Sequence, residues 1–334
     1  MTVAAPASMR PSAARAGVCT VFALLLLPVA HPAAAAANPN ITRPPAEIER
    51  ELAEQPMRIV AAAISRPKAK GDITLRVEAS FADRPPYRIK LRRAEPGADE
   101  FNNCPRYDSA AYELQKLFLD ADEYVVPPTV LRMLPLEQLQ PHAPAASPTF
   151  TQSDDVLVVL QYWLQEVTLV EDAYDPARFA DDRVYARHVG QLNILTYLIE
   201  HRDSNLGNFL ISTAERGPRV FSVDNGVAFE AEESERGELW KDLRVNQLPA
   251  DAIERLRQVD KAALRSRLAV LGQWELRDGH YVRVPSGHNL APHSGVRIRG
   301  RVVQMGLTAH EILSLSYRLE QLLKEVNHGH IRTF

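Results

Sequence analysis

The hydrophobic pattern changes character about half-way along the chain. Between residues 59 and 162 apolar positions alternate with polar ones or fall in short continuous runs. That predicts strands at 59–64, 73–80 and 87–92, separated by turn-rich stretches at 66–72 and 82–86. Pro127-Pro128 forces an extended approach to residues 129–134, and 156–162 is an unbroken apolar run, the mark of a buried strand. Two helices interrupt this half. One is short and charged at 46–55. The other is predicted at 109–119, where Asp108 can cap it and Ala111, Leu114, Leu117 and Phe118 share a stripe. Residues 135–153, rich in Pro, Ala and Gln, read as loop.

In the second half the period lengthens to that of helices. Residues 184–200 carry Tyr185, Val189, Leu192, Leu195 and Ile199 on one face. Residues 250–271 read as helical. Residues 308–327 open with a Thr308-x-x-Glu311 capping box and stop at Gly329. Between these helices, 209–212 and 219–223 read as the strands of a hairpin. Strands followed by helices predict an α+β fold with two lobes and a boundary near residues 163–169. No internal repeat is visible.

Residues 1–37 follow another rule. Arg10 and Arg15 precede an apolar run of about thirteen residues, and an alanine-rich stretch follows. A membrane-spanning helix needs ~20 apolar residues, so the expectation is a signal peptide cleaved after Ala37. Met9 is an alternative start, and Cys19 is badly placed for a lipid anchor. The product is expected to be periplasmic or secreted, with no integral membrane segment after cleavage. Cys104 is then the only cysteine, expected as a lone half-buried thiol with no intramolecular disulfide.

Composition narrows the classes. With 39 Lys+Arg against 42 Asp+Glu in 334 residues, the net charge of −3 gives no reason to expect a nucleic-acid partner. Hydrophobic residues at 46% and charged residues at 24% exclude disorder as the general state. Two cysteines exclude a disulfide framework or a cysteine-based zinc cluster.

The informative stretch is His201-Arg-Asp-Ser-Asn-Leu-Gly-Asn208, followed by Val220-Phe-Ser-Val-Asp-Asn-Gly226. A long helix ends at Glu200. Asn208 lies five residues after Asp203, and a hairpin then returns a second acid, Asp224. Phosphoryl transfer needs a carboxylate beside the acceptor hydroxyl, and Asp203 suits that task. It also needs a divalent cation held by hard oxygen ligands, which Asn208 and Asp224 offer. Gly226 is expected to let the chain turn after the metal ligand. In the first half, Lys90 sits centrally in a predicted strand, where it would neutralise nucleotide phosphates. It needs an acid from the next helix, and both Asp108 and Glu113 compete for that role.

These residues resemble the protein-kinase series H-R-D-x-x-x-x-N with its following metal-binding acid. Together with Lys90 on a strand, and with Asp108-Ser-Ala-Ala-Tyr112 leading to Val126-Pro-Pro-Thr-Val130, they resemble the atypical branch of kinase-fold phosphotransferases. That branch includes the secretory-pathway (Golgi casein kinase-like) kinases, spore-coat kinases, HipA-type kinases and phosphatidylinositol 3/4-kinases. The resemblance covers about residues 59–270. It implies a bilobal protein-kinase-like fold, with a leader and short helix at 38–57, a small mainly-β N-lobe at 58–164 that binds nucleotide, and a larger mainly-α C-lobe at 165–334. It further implies ATP as donor, Mg2+ or Mn2+ as cofactor, and residues 156–164 as the last small-lobe strand and hinge, whose backbone would meet an adenine ring. By the same analogy Asp108 stands beside Glu113 as the helix acid. The chain departs from the pattern in two ways. It has no G-x-G-x-x-G loop, Lys68-Ala-Lys-Gly-Asp72 being the only candidate phosphate cover. No Ala-Pro-Glu element follows Gly226.

Plainer readings stand beside these. Alone, His201-Arg-Asp203 fits a charged helix end and Asp224-Asn-Gly226 a hairpin turn. His201 reads as a residue holding the loop, and Asn205 as a second polar contact to metal or phosphate. Lys68, Lys70, Arg84, Arg88, Arg92 and Arg93 form either a basic patch or a solvated face. Most histidines read as solvated. Asn40-Ile-Thr42 fits the glycosylation pattern. Arg297, Arg299 and Arg301 alternate, as one strand face would. The functional expectation is an exported phosphotransferase acting on a hydroxyl of a protein, glycan or small molecule. Its competitors are an inactive kinase-fold binding module, for which scarce ATP in an exported compartment argues, and an AMP transferase on the same fold.

Overall fold

The computed structural model describes residues 38–65, 74–82, 84–98, 104–171, 174–213, 218–230 and 244–334. The signal-peptide expectation, the candidate cover at 68–72, and Trp240 to Leu243 lie outside them. The architecture is mixed α+β with antiparallel sheets. No helix of the described residues is long and apolar enough to cross a membrane.

Helix α1 (Pro45–Glu54) leads into strands β1 (Met57–Ile64), β2 (Thr74–Phe81) and β3 (Tyr87–Arg93). Helix α2 (Pro105–Gln115) separates these from β4 (Thr129–Pro135); a short helix α3 (Leu136–Leu139) and a loop then precede β5 (Asp155–Tyr162). The five strands form one antiparallel sheet in the order β1-β2-β3-β5-β4. All eight residues of β5 are buried. Leu157 and Val159 enter the core shared with the helices, while Val156, Val158, Leu160 and Tyr162 enter a second core under α1. Burial on both faces explains why β5 reads as a continuous apolar run rather than an alternating one.

The chain continues through β6 (Val167–Leu169), α4 (Pro176–Asp181) and α5 (Arg183–Ile199) to β7 (Phe209–Ser212) and β8 (Val220–Ser222). Strands β6, β7 and β8 form a small antiparallel sheet. Asp182 starts α5 by accepting from the N–H groups of Val184 and Tyr185, and Glu200 ends it in a left-handed conformation (φ 53°). After β9 (Gln247–Leu248) the helical stretch expected at 250–271 divides into α6 (Ala250–Leu256) and α7 (Lys261–Leu268). The break falls where Asp260 caps the second helix through the Ala263 N–H.

Residues 272–305, unassigned in the sequence, form a second large antiparallel sheet, of four strands: β10 (Gly272–Arg277), β11 (His280–Arg283), β12 (Val296–Arg299) and β13 (Val302–Met305), ordered β11-β10-β13-β12. It docks on the first sheet. The buried Asp155 carboxylate accepts from His280 and from the Tyr281 N–H, and Arg283 donates to the Leu131 carbonyl (2.9 Å). Helix α8 (Ala309–Asn327) carries the full Thr308/Glu311 capping box, and Gly329 follows at φ 76°. The terminal β14 (Arg332–Thr333) pairs in parallel with β9. The second half is therefore less purely helical than expected.

Arg297, Arg299 and Arg301 do not form one face. Arg297 is buried and donates to the carbonyls of Ala291, Ala269 and Leu307, whereas Arg301 lies in the turn between β12 and β13. Of the basic cluster, Lys68 and Lys70 lie outside the described residues; Arg84 pairs with Glu47 and Glu51, Arg88 with Glu78, and Arg92 is buried against Asp108. Cys104 is fully buried rather than half-buried.

Candidate functional site

Lys90 projects from β3, which lies between β2 and β5 in the first sheet. The segment after α5 turns at His201 and reaches Asn208 through a single 3-10 turn, Leu206–Asn208. Strand β7 starts at once, and β8 returns antiparallel with Phe209 opposite Ser222. The Val223 N–H then donates to the Asn208 carbonyl (2.9 Å), which sets Asp224 beside Asn208. Lys90, Asp203, Asn208 and Asp224 thus line one cavity of about 450 Å³, together with Gln161 of β5 and Leu164 just after it. Two other cavities, of about 530 and 540 Å³, lie beside α7, and neither gathers two carboxylates.

The Asp203 loop is held by amides. Asn208 Nδ2 donates to the Asp203 carbonyl (2.6 Å) and carboxylate (3.3 Å), and Asn205 Nδ2 donates to the same two groups (3.0 and 3.2 Å). Asn205 Oδ1 accepts from the Gly207 N–H (2.9 Å). Asn205 therefore braces Asp203. With its nitrogen committed to Asp203, Asn208 keeps its side-chain carbonyl oxygen as the acceptor end.

His201 is fully buried and its Nε2 donates to the Asp224 carbonyl (3.2 Å), the loop-holding role expected for it. Burial pushes its pKa down, against the smaller opposing pull of the Asp224 carbonyl and the nearby acids, so the ring is held neutral. Asp224 itself adopts a left-handed backbone (φ 56°), and Gly226 does not. The turn after β8 is thus made by the acid, not by the glycine assigned to it. Aspartate tolerates this region better than most residues, at a cost of roughly 1–3 kcal/mol. Asn225 is buried and accepts from Ser222 Oγ (2.6 Å), which closes the turn.

The acid facing Lys90 is neither of the two candidates. Lys90 Nζ pairs with Asp224 Oδ1. Asp108 is buried against Arg92, two residues along the same strand, and Glu113 pairs with Lys116 and Arg267. The reason is the start of α2. Pro105, lacking an N–H to satisfy, occupies the first turn, so the helix begins three residues before Asp108 and not after it. Asp108 consequently sits within the first turn and reaches Arg92. Strand alternation places Arg92 on the face of Lys90, a signal that was present in the sequence.

No cluster of three or more His, Cys, Asp or Glu side chains with metal-binding geometry exists among the described residues. The cavity nevertheless offers hard oxygen donors, the Asn208 carbonyl and the Asp224 carboxylate, of the kind Mg2+ and Mn2+ prefer when phosphate oxygens complete the shell. No protein-family model matches the chain, and no curated protein matches it significantly.

Proposed function

We propose that this chain is an exported, metal-dependent phosphotransferase of bilobal protein-kinase-like fold, moving the γ-phosphate of ATP to a hydroxyl of a protein, glycan or small molecule. The observation that carries the reading is the convergence of Lys90, Asp203, Asn208 and Asp224 on one cavity from three separate stretches of chain. The sheet order β1-β2-β3-β5-β4, with α2 between the third and fourth strands, supports the small lobe that the resemblance implies. Leu164, two residues past the end of β5, lines the cavity, where the resemblance puts the hinge.

In this reading Asp203 orients the acceptor hydroxyl and takes its proton. The acceptor oxygen forms a bond to the γ-phosphorus while the bond from that phosphorus to the β,γ-bridging oxygen breaks, and ADP leaves. Lys90 neutralises phosphate charge. Asn208 and Asp224 would hold Mg2+ or Mn2+, which supplies further charge neutralisation when bound.

One observation favours a second reading, a ligand-binding module without transfer: Lys90 and Asp224 neutralise each other, and no helix acid holds Lys90. Labelled ATP separates the two. Protein from Asn38 onward is incubated with γ- or α-labelled ATP and Mg2+ or Mn2+, beside Asp203→Ala and Asp224→Ala. Transfer of the γ label, lost in both variants, is the expected result. Transfer of the α label would indicate AMP transfer. No transfer and no nucleotide-induced rise in Tm would leave the binding module.

A further inference from the structure

We propose that Asn40 is a positioning residue of the cleft: it pins the connection between β5 and β6 from behind and so sets the affinity for the ligand. The second clause rests on the reading of the cleft as a nucleotide site. The first rests on geometry alone.

The Asn40 side chain is wholly buried. Its Nδ2 faces three acceptors: the carbonyls of Gln165 (2.9 Å) and Glu166 (3.0 Å), and Ser212 Oγ on β7 (3.1 Å). The Gln165 N–H returns a bond to the Asn40 carbonyl (3.0 Å). The segment around Asn40 is itself fixed. Asn38 Oδ1 accepts from the N–H groups of Asn40 (3.0 Å) and Ile41 (3.2 Å), and Thr42 Oγ1 meets the Tyr162 hydroxyl at the end of β5 (3.1 Å).

The pinned connection needs holding. Glu166 has a left-handed backbone (φ 47°), a conformation that persists in a non-glycine residue only where its surroundings impose it. Its carbonyl takes both Asn40 Nδ2 and the Thr213 N–H (2.8 Å). On the other side, Leu164 of the same connection and Val167 at the start of β6 line the cavity that holds Lys90 and Asp224. A displacement of Gln165 or Glu166 therefore moves the cavity wall. The chemistry selects an amide: aspartate has the same shape but would turn an oxygen toward two carbonyl oxygens, and alanine would take the side-chain donor from the Gln165 carbonyl and leave the Glu166 carbonyl with the Thr213 N–H alone. The same bonds rule out glycosylation of the folded chain at Asn40, since Nδ2 is enclosed and engaged.

The test compares wild type with Asn40→Asp, Asn40→Ala and Leu52→Ala. The last removes a buried side chain of α1 and lowers Tm while leaving every hydrogen bond of the Asn40 side chain in place. Backbone hydrogen exchange of residues 163–167 and of Thr213 is measured on ligand-free protein, and MgATP affinity by calorimetry. Exchange is expected to rise, and MgATP Kd to rise roughly tenfold, in both Asn40 variants, as the loss of one to two hydrogen bonds implies; neither changes in Leu52→Ala. Unchanged exchange in the Asn40 variants, or an equal rise in Leu52→Ala, overturns the pin. Faster exchange with unchanged Kd overturns the claim on affinity. If wild type binds no MgATP while exchange still separates the variants, the phosphotransferase reading falls and the pin stands.

Discussion

Lys90 and Asp224 form an ion pair across the cleft, joining the central part of the first sheet to the turn after β8 over 134 residues of chain. The two ends are unequal. The lysine side chain is 11% exposed and the aspartate side chain 50%. Water screens a half-exposed carboxylate, so the pair adds little to stability and separates at small cost. On the proposed reading, an incoming phosphate takes Lys90 and its cation takes Asp224.

Replacement of Lys90 tests that division of roles. Lys90→Met is expected to change unfolding free energy by no more than ~1 kcal/mol, because the lost partner is screened. MgATP affinity should fall about tenfold or more through loss of a charge-assisted contact. Urea unfolding and calorimetric titration of the same preparation check both parts.

The two candidate helix acids should separate by their effect on stability. Asp108 and Arg92 are buried together, with side chains 1% and 5% exposed, so Asp108→Ala is expected to cost on the order of 3 kcal/mol. Glu113 shares its carboxylate between Lys116, 13% exposed, and Arg267, 42% exposed, so each partner keeps water or a second acid and Glu113→Ala should cost only about 1 kcal/mol. Chemical denaturation of each variant decides it; equal costs would contradict the assignment of Asp108 to Arg92.

Two histidines give pH dependences of opposite sign. Burial, with Arg219 and Arg187 nearby, pushes His188 down to about 3 from its ordinary 6.5. The unfolded chain then binds a proton that the folded chain refuses. Stability present above pH 6.5 is lost as pH falls from there toward 3. Burial also lowers His201, which adds to the same acid loss. His280 is raised by its hydrogen bond and charge contact with Asp155. Its contribution is full below pH 6.5 and disappears as pH rises through its folded value. Thermal melts from pH 4 to 8 should show His188→Gln flattening the acid limb, and His280→Gln removing a smaller gain on the neutral side.

The junction between α2 and α8 gives a packing test. Glu311 accepts from Arg106 (2.6 Å) and the Tyr107 hydroxyl (2.5 Å) while also closing the α8 capping box. Arg106 raises the demand for an anion there, and Glu311 is held below the usual carboxylate range despite its burial. A Cβ at Gly295 would overlap Arg106 Nε. Gly295→Ala should therefore lower Tm by several degrees through overpacking at about 1–3 kcal/mol, and Glu311→Gln should cost on the order of 3 kcal/mol by leaving Arg106 buried without its charge partner. Calorimetry on both variants checks the sizes.

What could be read without coordinates was what local rules determine. Helix α5 announces itself through its apolar face, α8 through its cap at Thr308, and β5 through its unbroken apolar run. The Asp203 loop was legible because its residues converge within a few positions of one another. The partner of Lys90 was not, since Asp224 lies 134 residues away, and the pairing of Asp108 with Arg92 depends on the start of α2 at Pro105. The strands at 272–305 escaped for a different reason: three of the four have only four residues, too few to show a period. Asn40 escaped because its acceptors lie more than a hundred residues away.

The docking of the second sheet on the first bears on the order in which the chain can fold as it is made. Asp155 ends up buried, yet its partners His280 and Tyr281 follow 125 and 126 residues later. Until that length has been synthesised, the carboxylate at the start of β5 has only water to accept from, and burying it would strip that water without replacing it. The amino-terminal sheet must then wait, with β5 half-assembled and its apolar run open to other chains, for the carboxy-terminal sheet to emerge. Nascent chains stopped before residue 280 should accordingly stay protease-sensitive across β4 and β5, and resistance should arrive there in one step with β11.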